Sequence, residues 1–476
     1  MSFLGSFVRD SVVYAIPSMI SRGLSIFLVP LYTRVLTPDD YGALDLLTAF
    51  ASLVNLTVAL EVSQGVARYY AGEQNTDRKV VYASSAFWFT VFCYTVFLVV
   101  SLFFSSELAI LVMGRDGLEV YFQIGVISIG LNGIFYLIQN QFRWELRSRH
   151  YAVVSIIVSF VTAGLAVTLA YILKWGLKGL LYGMVGGALV GCIYGLWHLR
   201  NSFRFRFQWK RLKEMLLFSA PLVPSGVAVF ISHYIDRLMI KHYLSLHEVG
   251  LYGIGFRLAS VVGLIMVGFQ GALTPLVYAH YRDPQTPRQL AQIFRLFLVF
   301  ALMVFVILSL FAEEILVLMT TRAYYSAAQI VMFLIPAILL SNMYIFAPGI
   351  GIAKKTHLIL WINLFGAGLN TLFNLLLIPI YGISGAAAAT LMGYSCVFVV
   401  YMRCSQKFYF VPHEWKRIVI AVILLSGLAY LVPQLSLSTW LVIALKLVGI
   451  VAALLVVLLT GLIRMSELRN LQDLIK

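Results

Sequence analysis

The chain has 476 residues, of which 61% are hydrophobic and 12% are charged, and its formal net charge is +15. A water-soluble domain carries roughly 25% charged residues, so this composition, with a mean hydropathy of +0.91, excludes an ordinary soluble protein. A membrane-spanning helix needs about 20 consecutive apolar residues. The sequence therefore predicts an all-α, polytopic membrane protein.

Long uncharged runs predict fourteen spans in chain order. Their predicted ranges are 11–33, 41–63, 80–104, 118–140, 151–173, 177–199, 215–243, 248–272, 292–312, 326–350, 357–378, 383–403, 416–432 and 438–463. A short turn at 379–382 separates the eleventh span from the twelfth. No predicted loop exceeds about twenty residues, which excludes a sizeable soluble catalytic domain.

The positive charges are concentrated in alternate loops and at the two termini. The segment 200–213 alone contains six of them: Arg200, Arg204, Arg206, Lys210, Arg211 and Lys213. Lysine and arginine accumulate on the cytoplasmic side of membrane proteins, so both termini are predicted to be cytoplasmic. The net charge is thus a sign of topology in the cell (inner or plasma) membrane, and no nucleic-acid partner is expected.

A heptapeptide occurs twice. LTPDDYG at 36–42 returns as LSLHEVG at 244–250, and KWGLKG at 174–179 returns as IYGISG at 380–385, with offsets of 208 and 206. In each heptapeptide a hydroxyl residue, Thr37 or Ser245, precedes an acid by three positions (Asp40 or Glu248), which predicts a helix-capping box. Two anchors in register indicate a duplicated membrane module, as in many transporters.

The duplication predicts a domain organisation. An N-terminal six-helix lobe occupies 1–200, a basic linker 201–214 and a C-terminal six-helix lobe 215–405, and two further spans with a tail occupy 406–476. Because six is even, both lobes start on the same side of the membrane. They are then parallel repeats around a central cavity, related by an axis along the membrane normal.

Several segments resemble a known family. They are LTPDDYG at 36–42, VARYY at 66–70, SHYIDRLMI at 232–240, GLYGIGFRLA at 250–259 and LIPIYGISGAA at 377–387. Over about residues 10–405 the chain is similar to the polysaccharide transporter family, the Wzx-type lipid-linked oligosaccharide flippases of the multidrug/oligosaccharidyl-lipid/polysaccharide exporter (MOP) superfamily. The resemblance implies alternating access and transport of a polyprenyl-pyrophosphate-linked oligosaccharide to the outer leaflet, for surface polysaccharides such as O-antigen. It also implies an ion gradient (H⁺ or Na⁺) as the energy source and a polysaccharide polymerase as a partner.

Cations within spans are the first candidates for a substrate site, because a charge there is costly unless it is used. Arg22 lies near the middle of the first span, flanked by Ser18 and Ser25 on one face. His233, Arg237 and Lys241 form a stripe along the seventh span at i, i+4 and i+8. The predicted cationic cavity comprises Arg22, Arg237, Arg257, Lys241, His233 and Arg68. A structural ion pair for Arg237 and snorkelling for Lys241 are the alternatives.

Polar residues on the second span are the second group of candidates. Asp45, Thr48, Ser52 and Asn55 share one face, and Asp236 on the seventh span is expected to pair with a neighbouring helix. Close packing of small and polar residues between helices is the structural alternative for this face. Arg295 and other arginines near span ends either approach the pyrophosphate or contact anionic lipid.

Two other functions stay open at this stage. A drug or cation antiporter of the same superfamily would use acids in its cavity, and Asp45, Glu61 and Asp236 are available. A polyprenyl-dependent enzyme would need a long loop with acid and base residues, and the sequence predicts none. The sequence has no Walker A motif and no metal-ligand spacing, and Cys93, Cys192, Cys396 and Cys404 are scattered singly. No cofactor is therefore predicted.

Overall fold

The computed structural model of the chain describes residues 17, 19–21, 23–263, 266, 273, 277, 280–353, 355–434 and 439–463. All regular structure in these ranges is helical. In chain order the α-helices are α1 Val29–Val35, α2 Pro38–Thr57, α3 Val62–Gly72, α4 Thr76–Phe103, α5 Ser105–Met113, α6 Glu119–Trp144, α7 Ser148–Ala166, α8 Gly176–His198, α9 Trp209–Ser219, α10 Leu222–Tyr243, α11 Leu246–Ala259, α12 Thr286–Leu310, α13 Ala312–Met319, α14 Ala328–Asn342, α15 Gly349–Ile352, α16 Thr356–Phe408, α17 Trp415–Leu431 and α18 Thr439–Leu459.

The all-α membrane fold predicted from the sequence is confirmed. Within the described ranges, eight helices are long and apolar enough to cross a bilayer, or ten if two bent pairs, α2–α3 and α9–α10, each form one span. One of the eight is α16, with 53 residues. At 1.5 Å per residue it would be about 80 Å long if straight, more than two and a half times the thickness of a bilayer core of about 30 Å. The predicted total of fourteen spans stays a prediction.

Specific residues set the breaks between these helices. Gly382, inside α16, has φ 58° and ψ −139°, so the predicted turn at 379–382 is a break within one helical run. Leu60 and Glu61 adopt left-handed φ values of 48° and 50° and separate α2 from α3, whose axes differ by 44°. Broken helices of this kind are tolerated in membrane proteins where neighbouring groups satisfy the backbone.

The predicted capping box at the first heptapeptide is confirmed. Thr37 Oγ1 accepts a hydrogen bond from the backbone N–H of Asp40, and the Asp40 carboxylate accepts one from the N–H of Thr37. In the second heptapeptide Ser245 Oγ accepts a bond of 3.4 Å from the N–H of Glu248. Each heptapeptide thus ends one helix and starts the next.

Two glycines of the heptapeptides bring α2 and α11 close together. A Cβ atom built on Gly42 would lie 2.1 Å from the carbonyl oxygen of Leu246, and one built on Gly250 would lie 1.9 Å from that of Pro38. Beside them, His247 Nδ1 lies 3.5 Å from Asp39 Oδ2. Only glycine permits this approach, because any larger side chain would meet backbone atoms.

The described residues divide into two compact units, Met1–Gly253 and Ile254–Lys476. In the first unit, glycines of α8 pack against α7: a Cβ on Gly183 would lie 2.6 Å from Ala166 N, and one on Gly187 would lie 1.8 Å from Thr162 Oγ1. Gly187 therefore allows the close packing of α8 against α7.

The second unit contains a buried apolar cluster around Ile350, Ile362 and Val397. It also contains an ion pair between Lys446 Nζ of α18 and Glu314 Oε1 of α13. Lys446 is buried, and the pair explains how its charge is accommodated within α18.

Candidate functional site

The polar face of α2 lines a cavity of about 370 Å³ in the first unit. Thr48, Ser52 and Asn55 of that face contribute to its wall. Their side chains recur at intervals of three or four residues, so one face of the helix carries them all. The sequence analysis grouped these residues correctly, and the structure places them at a concave surface.

The opposite wall comes from α6. Its polar lining residues are Ser128, Asn132, Tyr136 and Gln139. The sequence analysis did not select them, although their spacing of four, four and three residues is a helical stripe that could have been recognised. Together the two helices give the cavity a lining rich in hydroxyl and amide groups between apolar side chains.

Hydrogen bonds hold this lining in place. Tyr94 Oη donates to Asn55 Oδ1 over 3.0 Å, and Gln139 Nε2 donates to Ser155 Oγ over 2.6 Å. Asn132 Nδ2 donates to the Ser128 carbonyl oxygen over 2.9 Å. Because partners fix these side chains, the cavity presents a preformed set of neutral polar groups.

Next to this surface, Arg237 of α10 forms a buried charge cluster. Its Nε donates to Asp45 Oδ2 of α2 over 2.6 Å, and its Nη1 donates to Asp236 Oδ1 over 3.1 Å. Nη1 also donates to the His233 carbonyl oxygen over 3.1 Å. The residue is only 4% exposed, so the two carboxylates replace the water that a guanidinium would otherwise need.

Two tyrosines complete the cluster and connect it to the cavity. The guanidinium carbon lies 5.3 Å from the ring centroid of Tyr234 and 5.5 Å from that of Tyr252, and Tyr252 Oη donates to Asp236 Oδ2. Tyr234 Oη lies 3.2 Å from Ser52 Oγ on the cavity wall. A chain of direct contacts thus runs from the arginine to the lining.

Asp236, which was expected to pair with a neighbouring helix, has partners on two helices. Its carboxylate accepts hydrogen bonds from Tyr252 Oη of α11 and from Arg237 Nη1 of its own helix. The long arginine side chain reaches back to its sequence neighbour, which helical angles alone do not reveal. Ionised in full, the trio of Arg237, Asp45 and Asp236 holds one positive and two negative charges.

The stripe His233, Arg237 and Lys241 is spread over three environments. His233 is exposed, whereas Arg237 is buried. Lys241 Nζ donates to the carbonyl oxygen of Leu111, near the end of α5. Cations commonly interact with helix C-termini in this way, so the geometry supports a structural role for Lys241.

The other described cations of the prediction, Arg68 and Arg257, are not among the residues that line this cavity. Arg68 is exposed on α3, and Arg257 is half-buried on α11 in the second unit. Ser25 is half-buried in the helical segment before α1. Ser18 and Arg22 lie outside the described residues. The described lining of the 370 Å³ cavity contains no lysine or arginine, in contrast to the cationic lining that was expected, because Arg237 is held by Asp45 at its edge.

A second buried polar group was also missed. In α16, Asn374 Nδ2 donates to the carbonyl oxygen of Asn370 over 2.8 Å, and the nearby Thr390 Oγ1 donates to Ala386 O over 3.0 Å. All three polar side chains are buried. Single amides in an apolar run give little signal in a sequence, which is why they were not selected.

Comparison with solved structures identifies the fold of the chain. An inward closed structure of the lipid II flippase MurJ aligns with a TM-score of 0.69 at 17% identity, over 98% of this chain and 100% of that one. An inward-facing MATE family multidrug resistance transporter of the MOP superfamily aligns with a TM-score of 0.66 at 16% identity, over 83% and 97%. The chain therefore has the all-helical fold of these two solved structures.

Sequence comparison adds the family. A family model described as "Polysaccharide biosynthesis protein" matches residues 31–329, and the chain belongs to this family. A protein of the Lsg locus of Haemophilus influenzae is 22% identical over 274 residues, which are 57% of this chain and 65% of that protein. The matched region thus spans just under two thirds of that relative's length. This confirms the predicted family at the level of polysaccharide biosynthesis proteins.

Proposed function

We propose that this protein is a flippase that moves a polyprenyl-pyrophosphate-linked oligosaccharide from the cytoplasmic to the outer leaflet by alternating access, for surface polysaccharide biosynthesis. The observation that carries the proposal is the cavity lined by hydroxyl and amide groups of α2 and α6. A sugar head presents many hydroxyls, and neutral donors and acceptors at fixed positions are the groups that bind them. The similarity of the fold to that of the lipid II flippase MurJ also supports a flippase function.

The pyrophosphate requires positive charge, and Arg22 and Arg237 are proposed to supply it. Arg237 is now bound by Asp45 and Asp236. Two oxygens of a diphosphate can accept a bidentate pair of hydrogen bonds from a guanidinium, as the two oxygens of a carboxylate can, so a diphosphate would compete with Asp45 for Arg237. In this proposal Asp45 and Asp236 balance the positive charge of Arg237 until the substrate binds.

Paired substitutions separate substrate binding by Arg237 from its structural role. Arg237→Gln alone leaves the buried carboxylate of Asp236 and the half-buried carboxylate of Asp45 without their cation and should cost about 3–5 kcal/mol of stability, so its abundance falls. The double variant Asp45→Asn/Arg237→Gln removes charge from both partners and should recover part of that abundance, because Asp236 keeps only its hydrogen bond from Tyr252 Oη. We expect this double variant to reach the membrane but to make no surface glycan in a strain that lacks the native gene.

The measurements are membrane abundance by immunoblot and glycan on the cell surface. Normal glycan from the double variant would show that Arg237 is only a structural partner. Lys241→Gln is the matched control, because it removes a nearby cation that binds a helix end, and we expect it to retain glycan production. For Arg22→Ala, normal glycan at wild-type abundance would contradict the role proposed for Arg22.

A drug or cation antiporter is the second candidate, and one observation favours it. The trio around Arg237 contains one more carboxylate than cation, and excess acid attracts cationic substrates. Purified protein in liposomes distinguishes the two functions. We expect transfer of a lipid-linked oligosaccharide to the opposite leaflet, measured by accessibility of its sugar to a lectin, and no ion-driven efflux of a lipophilic cationic dye. Dye efflux without lipid transfer would establish the antiporter instead.

A further inference from the structure

A second cavity, of about 320 Å³, lies where α12 and α17 begin, within the second unit. Arg288, Gln292 and Arg295 of α12 line it, and their spacing of i, i+4 and i+7 places them on one helix face. Arg295 is only 7% exposed, whereas Arg288 is exposed at the first turn. One wall of the cavity is therefore a graded stripe of positive charge that runs from the surface inward.

The other wall carries a histidine in an unusual setting. The His413 ring packs edge-on against Phe294, at 4.6 Å between ring centroids, and against Trp415, at 5.2 Å. Both of its ring nitrogens are buried, and neither has a hydrogen-bond partner among the described residues. Burial lowers the pKa of His413 to about 4, so the ring is neutral at neutral pH and offers one N–H donor and one acceptor.

Against two arginines, the described lining of the cavity has one acidic residue, Glu414. Its Oε2 accepts a 2.6 Å bond from Nη1 of Arg417, which lies outside the lining. With Arg288, Arg295 and Glu414 ionised, the lining holds two positive charges and one negative charge. A buried arginine, an enclosed imidazole N–H and a surface arginine around one space are complementary to an oxyanion with several acceptor oxygens.

The surroundings identify where such an anion would come from. The helix α12 is one of the helices apolar and long enough to span a bilayer, and the cavity lies at its first turns, where a span meets the polar headgroup region. Beyond the cavity, Val419, Ile420 and Ile423 of α17 are exposed apolar side chains. A lipid would match both features: its phosphate would bind in the basic cavity, and its acyl chains would contact the exposed apolar side chains of α17.

We propose that the cavity between α12 and α17 binds the headgroup phosphate of an anionic phospholipid, with the lipid chains along the exposed apolar face of α17. The site is separate from the cavity lined by α2 and α6, and it assigns a role to α17, the first helix beyond the duplicated module. Basic pockets between membrane helices on one side of the bilayer are a recognised way of binding anionic headgroups.

The test measures lipid retention by the detergent-purified, full-length protein. Native mass spectrometry after addition of phosphatidylglycerol or phosphatidylcholine reports the fraction of protein that carries each lipid. We expect wild-type protein to retain phosphatidylglycerol in preference to phosphatidylcholine. Arg295→Gln should weaken phosphatidylglycerol retention about tenfold, since a charged hydrogen bond is lost, and Arg288→Gln about fivefold, as for one basic residue near an anionic headgroup.

Two further variants make the test independent of folding. Arg288→Gln changes an exposed side chain, so it keeps the test available if Arg295→Gln does not fold. Arg282→Gln is the matched control: it removes an exposed arginine before α12 that does not line the cavity, and its retention should equal that of the wild type. Equal retention of both lipids by the wild type, or unchanged phosphatidylglycerol retention by both cavity variants, would overturn the proposal. Displacement of the lipid by millimolar inorganic phosphate would also overturn it, since the site would then bind a free ion.

Discussion

At the residue scale, the two positions that most clearly require glycine are the last residues of the two heptapeptides. At Gly42 and Gly250 an added Cβ would collide with backbone carbonyl oxygens, which cannot rotate away. We expect Gly42→Ala and Gly250→Ala each to lower the stability by about 2 kcal/mol or more, as overpacking does elsewhere. The measurement is the thermal unfolding midpoint of the purified protein.

Gly164→Ala in α7 is the matched control. No atom lies within 4 Å of the Cβ that it would add, and alanine favours a helix over glycine by about 1 kcal/mol. Its midpoint should be unchanged or raised. If all three variants unfolded at the same temperature, the close approach of α2 and α11 would not contribute to stability.

At the element scale, the pair Lys446–Glu314 connects α18 to α13. The two side chains differ in exposure, at 3% for Lys446 and 38% for Glu314. Glu314→Gln leaves a buried ammonium without its carboxylate and should cost about 3–5 kcal/mol. Lys446→Met leaves a carboxylate whose Oε2 is buried but whose side chain is 38% exposed overall, and it should cost less than Glu314→Gln.

A double-mutant cycle on unfolding midpoints checks this order. The combined variant Glu314→Gln/Lys446→Met should be more stable than Glu314→Gln alone. The exposed pair Arg78–Glu73, at 3.7 Å, is the comparison, and its disruption should cost no more than about 1 kcal/mol. A larger loss from Lys446→Met than from Glu314→Gln would refute the assignment of the buried charge.

At the scale of the whole molecule, patterns of apolar residues were sufficient for the fold class. Uncharged runs predicted helices such as α4 and α8 within a few residues, since each run must satisfy its own backbone in a bilayer. Breaks were harder. Gly382 lies in a predicted turn, but the bend at Leu60 and Glu61 has no glycine or proline to signal it.

The candidate site was predicted only in part, for a physical reason. The polar face of α2 follows from local periodicity. The partners of Arg237 do not, because Asp45 lies 192 positions away in the chain and tertiary packing alone brings them together. Sequence reasoning therefore found the arginine and each carboxylate, but it could not determine which charges compensate one another.

The contact between the heptapeptides has a further property, which is reciprocity. Gly42 meets Leu246 and Gly250 meets Pro38, while Asp39 faces His247. Pro38 and Leu246, Asp39 and His247, and Gly42 and Gly250 are each separated by 208 positions. Each copy thus presents the same patch to the other, as the subunits of a twofold homodimer do at an isologous interface. The contact has the form of a dimer interface retained within one polypeptide, where each half is now free to diverge, as Asp39 and His247 already have.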